Sequence, residues 1–73
     1  MITIEKRTIE MFPRNVKMMR ETRALSTWRV AAKAAMPQST WHAYESGRRM
    51  PPLDNFVAMC TALDCTPNEL LGY

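Results

Sequence analysis

Pro37-Gln38-Ser39-Thr40-Trp41-His42-Ala43-Tyr44-Glu45-Ser46-Gly47-Arg48-Arg49 is the stretch from which the rest of the chain can be read. As a helix from about Pro37 to Ser46, it places Trp41, Tyr44 and Glu45 on one side, three and four residues apart. Gln38, Ser39, His42 and Ala43 fall toward the opposite side. That face carries no Lys, Arg, Asp or Glu, only short or amide-bearing groups that hydrogen-bond without filling much space. Such a surface suits close approach to base edges in a DNA major groove, where Gln pairs bidentately with adenine and small groups accommodate a thymine methyl. Gly47 ends the helix, and Arg48 and Arg49 follow where guanidinium groups can grip phosphates. The same residues also fit a solvated helix followed by a basic turn, so the surrounding chain has to decide.

Working outward, Ser26 is an N-cap for a helix over Thr27 to Ala34, whose inner stripe is Val30, Ala31 and Ala34. These residues are small, so a second helix can approach closely. The break at Ala35-Met36-Pro37 is about three residues long, which gives helix, tight turn, helix. Upstream, a helix is expected from about Pro13 to Arg23 with Val16 and Met19 inward. Pro13 biases Phe12 toward extended geometry and suits a first helical position. Residues 1–12 therefore read as an arm or short edge strand, ordered by a partner, with the main domain over residues 13–73. Downstream, Met50-Pro51-Pro52 is an ordered loop. Leu53, Phe56, Val57, Cys60 and Leu63 then mark a fourth helix from Leu53 to Leu63. Thr66-Pro67-Asn68-Glu69 is a capping box with proline at the first helical position, opening a last helix that ends at Gly72. The expectation is an all-α domain of five short helices.

Seventy-three residues make one small domain with a marginal core. The net charge of +3 is unevenly spread. Residues 1–13 are neutral overall, residues 14–49 carry a net +6 and residues 50–73 a net −3. A cationic half favours a polyanion, and the acidic end should point away from it. Cys60 and Cys65 are five apart, with one His in the chain and no CxxC, so the expectation is two reduced thiols in a cytoplasmic protein and no metal or cofactor. No stretch approaches the roughly 20 apolar residues of a membrane span.

Taken jointly, these pieces resemble the phage Cro/CI-repressor type of helix-turn-helix domain, the XRE class, built as a five-helix lambda-repressor-like fold. The residues that carry the resemblance run from Asn15 to Gly72. They are Val16-x-x-Met19-Arg20-Glu21, Leu25-Ser26, Val30-Ala31, Ser39-Thr40-Trp41, Tyr44-Glu45, Gly47-Arg48-Arg49-x-Pro51, Leu53-x-x-Phe56 and Leu63-x-Cys65-x-x-x-Glu69-Leu70-Leu71. The resemblance implies an Arg20–Glu45 pair joining the first and third helices. There an Arg fork can hold the carboxylate while one edge still faces a phosphate. It implies that Gln38, Ser39, His42 and Ala43 face bases, with Ala43 limited to van der Waals contact. Thr27, Thr40, Ser46, Arg48, Arg49 and Arg20 would contact the DNA backbone, positioning the protein without reading sequence.

Three positions depart from the family pattern. Thr27 stands where Gln is usual, Pro37 where a Ser or Thr cap is usual, and Trp41 where Ile or Val is usual. A buried indole needs room, which Ala31, Ala34 and Ala35 can supply, and a partner for its N–H. Trp28 falls on the outer face, either stacked over Arg29 or Lys33 or serving as an anchor for a partner protein. The methionines read mostly as core filler. Functionally, the resemblance implies a transcriptional regulator, a phage or prophage repressor, binding a pseudo-palindromic double-stranded operator as a homodimer through the Asp64–Tyr73 end and the arm. The alternatives are an antitoxin-type autoregulator or a module controlled by a regulatory protein partner. Enzyme chemistry is not indicated: there is no nucleophile–base pair, no carboxylate cluster and no glycine-rich phosphate loop.

Overall fold

The computed structural model describes residues 3–73, which form five α-helices and no strand. These are α1 (Ile4–Thr22), α2 (Thr27–Lys33), α3 (Gln38–Glu45), α4 (Leu53–Leu63) and α5 (Pro67–Leu71). The helices pack around one core. Phe12, Val16, Val30, Trp41, Tyr44, Met59, Leu63 and Leu70 are each less than 2% exposed. Ala31 and Ala34 are also buried, as their stripe implies, and Ala62 joins them. The Phe12 and Phe56 rings meet at 6.0 Å and a 45° tilt.

The local signals act as expected at most helix ends. Ser26 Oγ accepts from the Arg29 N–H at 3.1 Å and starts α2. Thr66 Oγ1 accepts from the Glu69 N–H while Glu69 Oε1 accepts from the Thr66 N–H, closing the capping box of α5. Gly47, at φ +82°, ends α3. The Arg48 N–H returns to the Ala43 carbonyl at 3.0 Å and the Gly47 N–H to the Tyr44 carbonyl at 3.3 Å. This double return fixes where Arg48 leaves the helix.

The N-terminal segment differs from the arm or edge strand expected of residues 1–12. From Ile4 it is helical, and α1 runs unbroken through Pro13 to Thr22; Met1 and Ile2 lie outside the described residues. Proline removes one donor, so the Ile9 carbonyl lacks its i+4 N–H. Ile9 is 55% exposed, however, and solvent can take that bond. Four contacts hold the extra turns. Thr3 Oγ1 accepts from the Lys6 N–H at 3.2 Å. The Tyr73 hydroxyl donates to the Ile4 carbonyl at 3.1 Å and hydrogen-bonds the Thr8 hydroxyl. The Arg7 guanidinium lies 5.6 Å over the Tyr73 ring. Phe12, expected to be extended, is instead a helical core residue.

The apolar stripe expected on α4 is also rotated. The helix has the expected ends, but Leu53 and Val57 are 76% and 53% exposed, and Met59 and Ala62 are buried with Cys60 and Leu63. Apolar residues lie all round this helix, so periodicity alone leaves the inward face ambiguous. Met11, Met18 and Met50 are exposed rather than core filler, whereas Met59 is fully buried. Buried Asn15 donates from Nδ2 to the Leu70 carbonyl at 3.2 Å and so ties α1 to α5.

Candidate nucleic-acid interface

The third helix is fixed from below. Arg20 Nε donates to both Glu45 oxygens, at 3.2 and 2.9 Å, and Nη2 donates to Oε1 at 2.7 Å. Arg20 Nη1 donates to the Leu25 carbonyl at 2.9 Å, which also pins the loop before α2. Trp41 Nε1–H donates to Glu45 Oε2 at 2.8 Å, so the buried indole has its partner one turn along the same helix. Burial works to push the Glu45 carboxyl up, but the bonds from Arg20 and Trp41 outweigh it and hold it below the ordinary range. The Arg20 guanidinium, raised by its bond to Glu45, keeps one Nη1–H and one Nη2–H for an outside acceptor. The expected Arg20–Glu45 pair is therefore present, with side chains 14% and 9% exposed.

With Trp41 and Tyr44 turned inward, the other face of α3 points out. Ser39 and His42 are exposed, while Gln38 and Thr40 are half-buried. Ser39, Thr40, Ala43, Arg48 and Arg49 line one open depression of about 320 Å3. Five of the residues expected to touch DNA are thus brought together. Ala43 is 6% exposed and forms the floor of that depression, so it offers a contact surface and projects nothing. Its carbonyl accepts from the Arg48 and Arg49 N–H groups, and Ser46 Oγ donates to it at 3.2 Å.

At the other end of α3, Gln38 Nε2 donates to Thr27 Oγ1 at 2.8 Å, joining the starts of α2 and α3. Sequence reasoning misses both this bond and the one from Trp41 to Glu45. The i, i+4 spacing of Trp41 and Glu45 is the signal that could have shown the second. Pro37 contributes no side-chain cap, as its identity requires. Ala35 is exposed rather than part of the space around Trp41. Trp28 is 71% exposed and, among the described residues, stacks on neither Arg29 nor Lys33. No group of three His, Cys, Asp or Glu able to hold a metal occurs among the described residues, and no helix there is long and apolar enough to cross a membrane.

A family described as a helix-turn-helix domain matches residues 14–71. The chain belongs to that family. Its structure is similar to a crystal structure of the restriction-modification controller protein C.AhdI from Aeromonas hydrophila, with a TM-score of 0.81 and 29% identity over 85% of this chain and 94% of that one. A comparison with curated proteins finds no match. Family and fold together support an XRE-class helix-turn-helix domain in a DNA-binding transcription regulator. The match begins at Arg14, so the first turns of α1 lie outside the family's shared part.

Proposed function

We propose that this helix-turn-helix protein is a sequence-specific, cytoplasmic regulator that binds a pseudo-palindromic operator as a homodimer, inserting α3 of each protomer into the major groove. The observation that carries this is the uncharged outward face of α3 ending in a depression lined by Ser39, Thr40, Arg48 and Arg49. Gln38, Ser39 and His42 face the bases, and Ala43 lies beneath a thymine methyl. Thr27, Thr40, Ser46, Arg48, Arg49 and the free edge of Arg20 hold phosphates. Residues 13–73 form the DNA-binding unit, with the first turns of α1 as an appendage. Two-fold symmetry places the half-sites one helical turn apart, roughly 34–36 Å.

The setting of the regulator has two readings. The motif resemblance favours a phage or prophage Cro/CI-type repressor. The likeness to C.AhdI over 94% of its length favours a controller within a restriction-modification operon. Both use the same interface. Selection of bound duplexes from a random pool tests the proposal: two inverted half-sites one turn apart are expected, and recovery of no preferred sequence would contradict it. Locating the selected sequence beside phage genes or beside a nuclease–methyltransferase pair then separates the two settings.

A further inference from the structure

We infer that Trp28 is a further DNA-backbone contact: its indole N–H donates to a phosphate beside the one that Thr27 holds, and its ring covers the adjoining deoxyribose. The inference rests on the DNA-binding function proposed above and enlarges its footprint by a residue that the motif resemblance leaves without a role.

Trp28 is 71% exposed, whereas Trp41 is fully buried and bonded to Glu45. Core packing and an internal hydrogen bond account for the second tryptophan and not for the first. Its place in the fold supplies a ligand. The bond from Gln38 to Thr27 brings the start of α2 beside the start of α3. Trp28 directly follows Thr27, and side chains on a helix lean toward its N-terminal end. The ring therefore leans toward the end of α2 that borders the outer face of α3. With Val30, Ala31 and Ala34 turned into the core, Trp28 lies on a flank of α2 outside their stripe.

The surroundings favour a phosphate over a protein surface. An anchor for a protein partner is expected within a contiguous apolar patch. Among the described residues, the other large apolar side chains that are exposed lie on α1, at Met50, on α4 and at Tyr73; none is on α2 or α3. Trp28 stands instead between Thr27 and Arg29. No Asp or Glu occurs between Glu21 and Glu45, while Arg23, Arg29 and Lys33 do. An anion approaching this flank therefore meets no carboxylate from that stretch. Indole suits such a ligand: it is a donor only, and its flat apolar body covers a sugar while the N–H reaches an oxygen.

The test reads Trp28 directly, because acrylamide quenches an exposed indole and the buried Trp41 is shielded from it. In free protein the quenchable emission should come from Trp28. Saturation with the duplex that wild-type protein selects from a random pool should remove most of that quenching. Trp28→Ala should bind roughly tenfold more weakly, as for loss of a hydrogen bond to a charged group. The factor should be the same for the selected duplex and for versions with single base pairs changed, since a phosphate contact carries no sequence information. The salt slope should match that of wild type, because a neutral donor displaces no counterion. Trp28→Phe, which keeps an aromatic ring and loses the N–H, should bind about threefold more weakly. Thermal melts of both variants should match wild type, since an exposed ring supports no core. If the duplex binds while Trp28 stays open to acrylamide, or if Trp28→Ala binds as tightly as wild type, the inference is overturned while DNA binding by α3 stands. A loss confined to one base pair overturns it as well, since Trp28 would then read sequence. Failure to select any duplex removes the proposed function itself.

Discussion

Trp41 and Glu45 stand one turn apart on α3, and the indole N–H of the first donates to a carboxylate oxygen of the second that also accepts from Arg20. A tryptophan under a recognition helix is thereby compatible with a carboxylate–guanidinium clamp, because one acceptor satisfies both donors. Removing the carboxylate leaves the buried indole N–H and the part-buried Arg20 Nε without their acceptor. Glu45→Ala should therefore destabilise the domain by about 3 kcal/mol, as for breaking a largely buried ion pair from one side. Trp41→Phe, which removes the N–H and some ring volume, should cost less, roughly 1–2 kcal/mol. Urea unfolding of the three proteins compares these losses.

Stability should fall at both ends of the pH range. The Glu45 carboxyl is held below its unfolded value, so its contribution is present above that value and is lost as pH drops through the folded one. Burial pushes Cys60 up and raises Cys65 to about 11, so both thiols are more readily protonated in the folded state. Their contribution is present below the unfolded thiol range and is lost as pH rises through the folded values. Melting temperature should thus be flat near neutrality, falling in acid and again in alkali. In native protein both cysteines should react slowly with iodoacetamide at neutral pH, and in urea both should react at ordinary rates.

Three non-glycine residues, Ala24, Ala35 and Asp64, have φ between 52° and 55°. Ala35 makes the turn between α2 and α3, and a Cβ in that left-handed region costs roughly 1–2 kcal/mol. Ala35→Gly should raise stability by up to about 1 kcal/mol, after the greater freedom of glycine in the unfolded chain is allowed for. The reverse change at Gly72 should be harmful. There φ is +86° and an added Cβ would lie 2.9 Å from Asn15 Nδ2, disturbing the bond that ties α1 to α5. Thermal melts of Ala35→Gly and Gly72→Ala should shift in opposite directions.

The first turns of α1 depend on the last residue of the chain. Tyr73→Ala removes the bonds to Ile4 and Thr8 and the ring under Arg7. Amide hydrogen exchange should then speed up through residues 4–11, while the protection of α3 and α4 is unchanged. Uniform loss of protection across all five helices would show instead that the contact supports the whole fold.

Legibility in the sequence followed the range of the interaction. Ser26, Thr66 with Glu69, and Gly47 act on backbone within a few residues, and their helices begin and end where local chemistry places them. The outward face of α3 was also legible, since Trp41 and Tyr44 had to turn inward. Distant contacts were not. Pro13 argues locally for a helix start, but Tyr73, sixty-nine residues beyond Ile4, helps to hold helix upstream of it. Leu53 and Val57 fit a local stripe, yet packing of α4 against its neighbours selects the face with Met59 and Ala62. The Thr27–Gln38 bond depends on how two helices meet, which neither helix encodes alone.

The central claim is that the outer face of α3 and the arginines after it bind duplex DNA. The salt dependence of binding to the selected duplex tests it most directly, with wild type and Arg48→Ala/Arg49→Ala compared. Log affinity should fall linearly with log salt, and the double variant should lose roughly 1.8 from that slope, about 0.9 for each phosphate contact removed. A flat response in wild type, or the same slope in both proteins, would contradict it.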